Sequence, residues 1–464
     1  MTAPLLFEEF LSTPEMLELF GAPSVLQSML DVEAALARAQ ASEGLIPAGA
    51  AQAIAGACEA GRFDAAAIVA AGRSAGSLAI PLIRQLTATV ARSDAEAAQH
   101  VHYGSTSQDV IDSAMVLVTR RALALLERDL DRLIEALFAL ADAHGDAPLL
   151  ARTLLQPAQV VSLGFKVANW LAPLLRGRER LRAQAALALQ LQLGGAVGTL
   201  SVLGGHGPAV ARRMADELRL RLPDAAWHTQ RDEWVALGAC VGILCGALAK
   251  LARDWSLLCQ GEVGELAEPS GDGRGGSSAM PHKRNPVAAM LALAAGQRVP
   301  LRVAALLGTM AQEHERGLGN WQAELAEWAQ LFTAAHGGLK ALADAAALGL
   351  EVDTARMREN IERQHGLVYA EAVSARLAAS LGRVRAQALL EDWSRKVAHE
   401  GRPLREVAEA ALAADDDGRR IVAATDWPAL FDAEQAAEPA RRLAAAQLQA
   451  LRVRWRTMAD PPSP

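Results

Sequence analysis

The sequence predicts an all-α protein with three helical domains and a central bundle of long helices. Hydrophobic residues make up 51% of the 464 residues, but aromatic residues only 4%. Runs of β-branched and aromatic residues, which favour strands, are scarce, whereas alanine and leucine recur at helical spacing. We place the domains at residues 1–105, 106–345 and 346–464, and the middle domain includes a polar loop at 268–286.

A helix over residues 24–43 is typical of the predicted N-terminal domain. Ser24 is the expected N-cap, because its hydroxyl can accept a hydrogen bond from a free N–H group of the first turn. Apolar residues follow at helical spacing, and the resulting, mainly apolar stripe includes Glu33. Gly44 marks the end of this helix.

The longest predicted helix opens the central domain. Thr106 and Ser107 are suited to cap it, and Asp109 and Asp112 favour the positive end of the helix dipole. The apolar spacing continues to about His144. At ~1.5 Å per residue this helix is roughly 50 Å long.

The rest of the chain is also predicted to be mainly helical. After a break marked by Pro148 and Pro157, helical patterns lie at about 160–192, 230–260, 287–312 and from 321. A glycine-rich connection at 194–208 superficially resembles a phosphate loop, but no strand precedes it and no Lys-Ser/Thr pair follows it. We therefore interpret it as a connection between helices.

The apolar run Val235–Ala249 is shorter than the ~18 residues that would suggest a membrane span. We expect it to be a helix buried between the subunits of an oligomer, because it is too uniformly apolar for a surface helix. We expect no membrane partner.

Charge and cysteine usage exclude other classes. The net charge of -7 argues against a nucleic-acid partner, since phosphate binding needs a basic face. The four cysteines lack metal-site spacing and are interpreted as reduced, and the acidic N-terminal segment does not resemble a signal peptide. We expect a cytoplasmic protein without a metal or other cofactor. A local cationic pocket for an acidic substrate remains compatible with this charge.

The stretch from Gly275 to Pro286 combines glycines, hydroxyls, a cation and an amide. Ser277, Lys283 and Asn285 are suited to binding an oxyanion, and a loop that carries such groups is often a lid over an active site. The alternative is an ordinary solvated loop between two helices.

Three further polar clusters lie where predicted helices begin or end. Their alternatives are ordinary capping and a solvated, charged helix end. The candidate substrate-binding residues in and beside these clusters are His102, Thr106, Ser107, Thr153, Gln156, Gln230 and Arg316.

The order of these clusters and of the long helices between them resembles the fumarase/aspartase superfamily. The resemblance implies a helical homotetramer whose active sites are each assembled from three subunits. It implies that a proton is abstracted next to a carboxylate and a group is expelled from the neighbouring carbon. Ser277 would be the base, while Lys283 and Asn285 would stabilise the enolate charge.

One departure from the superfamily pattern is informative. Many members have a histidine, the general acid for the leaving group, where this chain has Leu154. A carboxylate leaving group needs no such acid, because its conjugate acid has a pKa of only ~4. The sequence thus resembles the lactone-forming branch of the superfamily, in which a small polycarboxylate closes a ring. Lys283 and Arg316, with the hydroxyls of Thr106 and Ser107, would hold its carboxylates.

Two alternatives remain at this stage. Adenylosuccinate lyases have a similar loop, but they carry a His-Asp pair in a segment that resembles Ser74–Gln85, and this chain lacks the pair. A protein of this fold can also serve a structural role without activity. The presence of Ser277, Lys283 and Asn285 argues against that role.

Overall fold

A computed structural model describes residues 5–271, 273–276, 279–280 and 282–459. These residues are mainly helical, which confirms the predicted fold class. The α-helices are α1 (Leu6–Phe10), α2 (Pro14–Leu19), α3 (Ala22–Ser42), α4 (Ala48–Ala57), α5 (Ala65–Ala75), α6 (Ala79–Ala91), α7 (Ser107–His144), α8 (Leu163–Ala188), α9 (Gly207–Leu218), α10 (Asp232–Leu258), α11 (Val287–Gly308), α12 (Asn320–Leu348), α13 (Thr354–Glu362), α14 (Ala370–Leu381), α15 (Arg383–Glu400), α16 (Leu404–Leu412), α17 (Asp416–Ala423), α18 (Trp427–Leu430) and α19 (Ala433–Ala459). The strands are β1 (Pro148–Thr153), β2 (Gln156–Ser162), β3 (Leu266–Ala267) and β4 (Glu351–Val352).

The chain forms two compact units, each made of three separate stretches. The stretches of unit 1 are Met1–Asp131, Arg176–Lys250 and Met290–Leu342; those of unit 2 are Arg132–Leu175, Leu251–Ala289 and Ala343–Pro464. The three consecutive domains expected from the sequence stay a prediction.

Helix α3 in unit 1 begins earlier than predicted. Its N-cap is Gly21, so the expectation that Ser24 caps it is wrong. Ser24 lies inside the first turn, where its carbonyl oxygen accepts a hydrogen bond from the Ser28 hydroxyl at 2.9 Å. Pro23 explains the shift, because proline is favoured in the first turn of a helix, where a missing N–H costs nothing.

The predicted break between the first two long helices is a β-hairpin in unit 2. Strand β1 pairs antiparallel with β2, and Thr153 lies opposite Gln156. Leu150 and Val160 lie opposite each other on the two strands and are both buried, so this short sheet has an apolar face. The helix predicted at about 160–192 is α8, which begins at Leu163, directly after the hairpin.

Helices α10 and α11 are long and apolar enough, by length and composition alone, to cross a membrane, and core helices pass the same test. In unit 1, glycines on α10 allow close packing. A Cβ atom at Gly238 would lie 2.8 Å from Leu306, and one at Gly242 would lie 2.6 Å from Val303. Both distances are shorter than a normal van der Waals contact, so a side chain at either position would displace Leu306 or Val303.

Helix α11 has an apolar side that its own unit leaves uncovered. Met290, Leu301 and Leu307 are exposed, Leu301 at 69% of its surface. Ile243 on α10 is exposed as well. Unit 1 thus combines a dense interior with exposed apolar side chains on two of its long helices.

The C-terminal part of unit 2 has a separate core. Trp393 of α15 and Trp427 of α18 are buried among aliphatic side chains of α14 and α16, including Val373 and Leu404. These short helices are stabilised chiefly by this shared burial, since isolated helices of their length are marginal in water.

Candidate active site

The buried carboxylate of Asp109 organises the polar cluster of unit 1. Its Oδ1 accepts hydrogen bonds from the N–H of Gly194 at 2.9 Å and from Nε2 of His228 at 2.7 Å. Its Oδ2 accepts from the N–H groups of Gly195 at 2.9 Å and Thr106 at 3.1 Å. One side chain therefore joins the start of α7, the glycine-rich connection and the segment that precedes α10.

Thr106 and Ser107 lie at the start of α7, as predicted, and both are half-buried. Ser107 is the first helical residue. The first N–H groups of a helix have no intrahelical partner and can bind an anion. Because Asp109 already occupies the Thr106 N–H, anion binding here would use the two hydroxyls and the next N–H groups.

Gln230 is exposed at the head of α10, but the next residue is not. Arg231 is wholly buried and donates from Nη1 to Asp112 at 2.9 Å and from Nε to Glu324 at 3.1 Å. Burial lowers the pKa of Arg231, but the two carboxylates outweigh burial and hold it above the ordinary value. Asp112, expected to act on the helix dipole, serves as the counter-ion of Arg231.

Arg316 lies close to the same cluster. Its Nε donates to the carbonyl oxygen of Ala196 at 3.1 Å, and its Nη2 donates to that of Gly195 at 2.9 Å. Two of its three nitrogens thus bind carbonyl oxygens of the glycine-rich connection, whose N–H groups at Gly194 and Gly195 bind Asp109. The structure gives Arg316 a role in loop position, which the sequence did not predict.

His102 is a half-buried residue whose Nδ1 lies 2.6 Å from Oε1 of Glu33. Burial lowers the pKa of His102, but the charge and hydrogen bond of Glu33, with a smaller contribution from Asp109, raise it above the usual range overall. His102 has φ +61°, the left-handed region that non-glycine residues rarely adopt. Such strain persists only where the surroundings hold it.

The polar loop belongs to unit 2, and Ser277 lies outside the described residues. Lys283 is exposed, and Asn285 is half-buried. The N–H of Asn285 donates to the carbonyl oxygen of Gly275 at 2.8 Å, and its Nδ2 donates to that of Gly276 at 3.3 Å. Asn285 therefore joins the C-terminal end of the loop to its glycine pair Gly275–Gly276.

Glu268 fixes the base of this loop. Its carboxylate oxygens accept from the N–H groups of Ala288 and Ala289, each at 2.8 Å, so it caps α11. Burial raises the pKa of Glu268 in spite of these donors. Arg284 donates to the Glu268 carbonyl oxygen at 2.9 Å and forms a bidentate pair with Glu351 at 2.6 and 2.9 Å.

Thr153 and Gln156 flank the two-residue turn of the β1–β2 hairpin in unit 2, and both are exposed. The turn residues Leu154 and Leu155 have φ of +50° and +65°. Hairpin turns with positive φ usually contain asparagine and glycine, so two leucines here are strained. Leu154 is 96% exposed and Leu155 is 77% exposed, so packing within their own unit does not offset this strain.

A family model for lyases matches residues 9–301. The chain belongs to this lyase family.

Relatives in this lyase family match nearly the whole chain. The 3-carboxy-cis,cis-muconate cycloisomerase of Bradyrhizobium diazoefficiens is 48% identical over 88% of this chain and 90% of that protein. The enzyme of the same name from Pseudomonas aeruginosa is 48% identical over 90% of this chain and 91% of that protein. The crystal structure of 3-carboxy-cis,cis-muconate lactonizing enzyme from Pseudomonas putida has a TM-score of 0.90 and 42% identity, and it covers 97% of this chain and 99% of that one. The predicted membership of the fumarase/aspartase superfamily is confirmed.

Sequence reasoning missed three residues that hold this lyase-family cluster together. Asp109 was interpreted as a helix-dipole residue, and Glu33 as part of an apolar stripe. His228, in the segment before α10, is not among the candidate residues named from the sequence. The sequence signal that could have found this cluster is a charged residue on the buried side of a helix, because such a residue needs a partner.

The described residues contain no group of three His, Cys, Asp or Glu side chains placed to hold a metal ion. Within unit 1, the structure links His102, Thr106 and Arg316 to the surroundings of Asp109. Within unit 2, Lys283 and Asn285 lie on the loop, whereas Thr153 and Gln156 lie on the hairpin.

Proposed function

We propose that this chain is a 3-carboxy-cis,cis-muconate cycloisomerase that forms 4-carboxymuconolactone in protocatechuate breakdown by the β-ketoadipate pathway. The main observation in support is the match to proteins of that name along nearly the whole chain, with 48% identity to the Bradyrhizobium protein. The reaction is an intramolecular addition. A carboxylate oxygen bonds to a carbon of the conjugated chain, and the adjacent carbon accepts a proton.

Ring closure places negative charge on the carbon beside a carboxylate, and that carboxylate takes up the charge as an enolate. Preorganised donors aimed at such developing charge are often the largest catalytic contribution. Lys283 and Asn285 are the proposed donors, and Ser277 is the proposed proton carrier. The hydrogen bonds of Asn285 to the carbonyl oxygens of Gly275 and Gly276 support a defined loop position.

Leu154 supports a lactone as the product. In the reverse reaction the departing group is a carboxylate, which leaves without protonation because its pKa is ~4. An exposed leucine that replaces a general acid is compatible with this leaving group. It is not compatible with the expulsion of an amine, whose conjugate base is far stronger.

The remaining candidates are proposed to bind the other carboxylates of the substrate. His102, Thr106 and Ser107 surround the start of α7, where N–H groups favour an anion. Thr153, Gln156 and Gln230 would supply neutral hydrogen bonds. Arg316 would act by fixing the glycine-rich connection, and its charge would favour the same anion.

We further propose a cytoplasmic homotetramer in which three subunits contribute to each active site. Two observations support this. The apolar side of α11 is uncovered, with Leu301 as its most exposed member, and exposed apolar patches of this kind mark interfaces. Leu154 and Leu155 project into solvent from a strained turn, and contact with another subunit would offset that strain.

The decisive experiment adds purified protein to 3-carboxy-cis,cis-muconate and follows the loss of ultraviolet absorbance as the conjugated diene disappears. Proton NMR of the product identifies the lactone. Adenylosuccinate, the substrate of the alternative function, is tested in parallel. Cyclisation without adenylosuccinate cleavage supports the proposal. Cleavage of adenylosuccinate without cyclisation would replace it, and inertness towards both would favour a structural role.

A further inference from the structure

Besides Ser28, helix α3 carries two polar side chains on its buried side. Glu33 and Gln40 are both almost completely inaccessible, although the neighbouring buried positions are alanine and leucine. Seven residues span about two turns of an α-helix, so the two side chains lie on the same side. Burying a carboxylate and an amide costs free energy unless both find partners.

Both side chains contact one turn. Glu33 Oε1 lies 2.6 Å from His102 Nδ1, and Gln40 Nε2 donates to the carbonyl oxygen of Tyr103 at 2.6 Å. Gly104 follows Tyr103 in this turn. A Cβ atom at Gly104 would lie 2.5 Å from Leu203, so this position favours glycine. These contacts hold His102 in its left-handed backbone conformation.

The charges of this cluster explain the pairing. The second oxygen of Glu33, Oε2, is also buried and has no hydrogen-bond partner among the described residues. A buried carboxylate without a cation is strongly destabilising, and the short contact to His102 is typical of a charge-assisted hydrogen bond. The charged groups that face His102 are Glu33 from α3 and Asp109 from α7, both carboxylates.

We propose that Glu33 is a positioning residue that keeps His102 protonated, so that its Nε2–H is held ready for a carboxylate of the substrate. Nδ1 is occupied by Glu33, and the imidazole keeps 20% of its side-chain surface exposed. The accessible edge of the His102 imidazole therefore belongs to a cation whose charge is stabilised by Glu33 at Nδ1. The proposal rests on the cyclisation of a polycarboxylate and explains how one anion is bound.

The raised pKa of His102 determines the pH dependence. His102 is charged below its folded pKa and neutral above it, so substrate capture weakens as the pH rises through that value. Glu33→Gln removes the supporting charge but keeps the shape and a hydrogen-bonding atom. The alkaline limb of kcat/KM, which reports groups of the free enzyme, then moves to lower pH. In the pH range between the limbs of the two enzymes, where only the wild-type His102 is charged, we expect kcat/KM of Glu33→Gln to be roughly 10- to 100-fold lower, the range for loss of an interaction with a charged group.

The test measures kcat/KM between pH 5 and 9 for the wild type and for Glu33→Gln. In parallel, the titration of His102 is followed by NMR of histidine-labelled protein, with the signal assigned from His102→Gln. Glu43→Gln is the matched control, because Glu43 caps the same helix and pairs with Arg213 and His206 on the surface. It should leave the alkaline limb unchanged. Gln40→Leu loosens the same turn without a change of charge, and should lower activity without moving the limb.

A His102 that titrates at the same pH in wild type and Glu33→Gln would overturn the proposal, as would an unmoved alkaline limb in an active Glu33→Gln variant. The NMR titration does not depend on activity. A wild type that fails to cyclise the muconate therefore refutes the proposed function, whereas an unchanged titration refutes the role of Glu33.

Discussion

Asp109→Asn tests whether one buried carboxylate holds the polar cluster of unit 1 together. The substitution preserves the size of the side chain and replaces one oxygen by an NH2 group. In the native protein each oxygen accepts at least two hydrogen bonds, Oδ1 from Gly194 and His228, and Oδ2 from Gly195 and Thr106. Whichever way the asparagine amide turns, its NH2 group faces at least one backbone N–H donor.

The magnitude follows from those orphaned donors. A buried donor left without a partner costs about 1–3 kcal/mol. If the NH2 group faces Gly195 and Thr106, two backbone donors are lost, which predicts about 2–6 kcal/mol. If the NH2 group faces Gly194 and His228, the His228 ring can change tautomer and accept a hydrogen bond from it. Only the Gly194 donor is then lost, at a cost of about 1–3 kcal/mol. Because the asparagine amide adopts the cheaper orientation, we expect about 1–3 kcal/mol of lost stability.

The assay is urea unfolding followed by tryptophan fluorescence and circular dichroism at one fixed protein concentration, because the assembly state affects the midpoint. Asp224→Asn is the matched control. Asp224→Asn makes the same chemical change at a side chain that is 94% exposed and paired with Arg221. We expect a loss of stability of at most ~1 kcal/mol there. An Asp109→Asn protein no less stable than Asp224→Asn would refute the role assigned to this carboxylate.

The remaining predictions concern catalysis and assembly. Ser277→Ala should lower kcat about 100- to 10,000-fold with KM largely kept, and a rate within about threefold of wild type would remove the serine from the mechanism. Lys283→Ala should impair both kcat and KM in the same steady-state assay, because a cation also attracts the ground-state carboxylate; an unchanged KM would contradict this. Leu154→His should not raise the lactonisation rate, and a several-fold gain in kcat would show that a proton donor was missing. Leu301→Glu should shift sedimentation from a tetramer to smaller species while helicity is kept, and an intact tetramer would exclude α11 from the interface.

Much of the fold follows from local sequence. The start of α7 at Ser107, the lengths of α10 and α11 and the start of α12 agree closely with the predicted helices, because long apolar periodicity and cap residues are local signals. The β1–β2 hairpin was missed because its strands are short and its turn contains Leu154 and Leu155. A turn with positive φ is normally recognised by asparagine or glycine.

The sequence by itself determined the all-α class, the superfamily and the residues of the polar loop. Those conclusions depend on periodicity and on motifs within a few residues of each other. Only the tertiary structure decided which charges are paired. Glu33 and His102 are 69 residues apart, and Asp109 and His228 are 119 apart, yet each pair is in hydrogen-bond contact. The physical reason is that a buried charge selects its partner through space, whereas a sequence pattern records only neighbours along the chain.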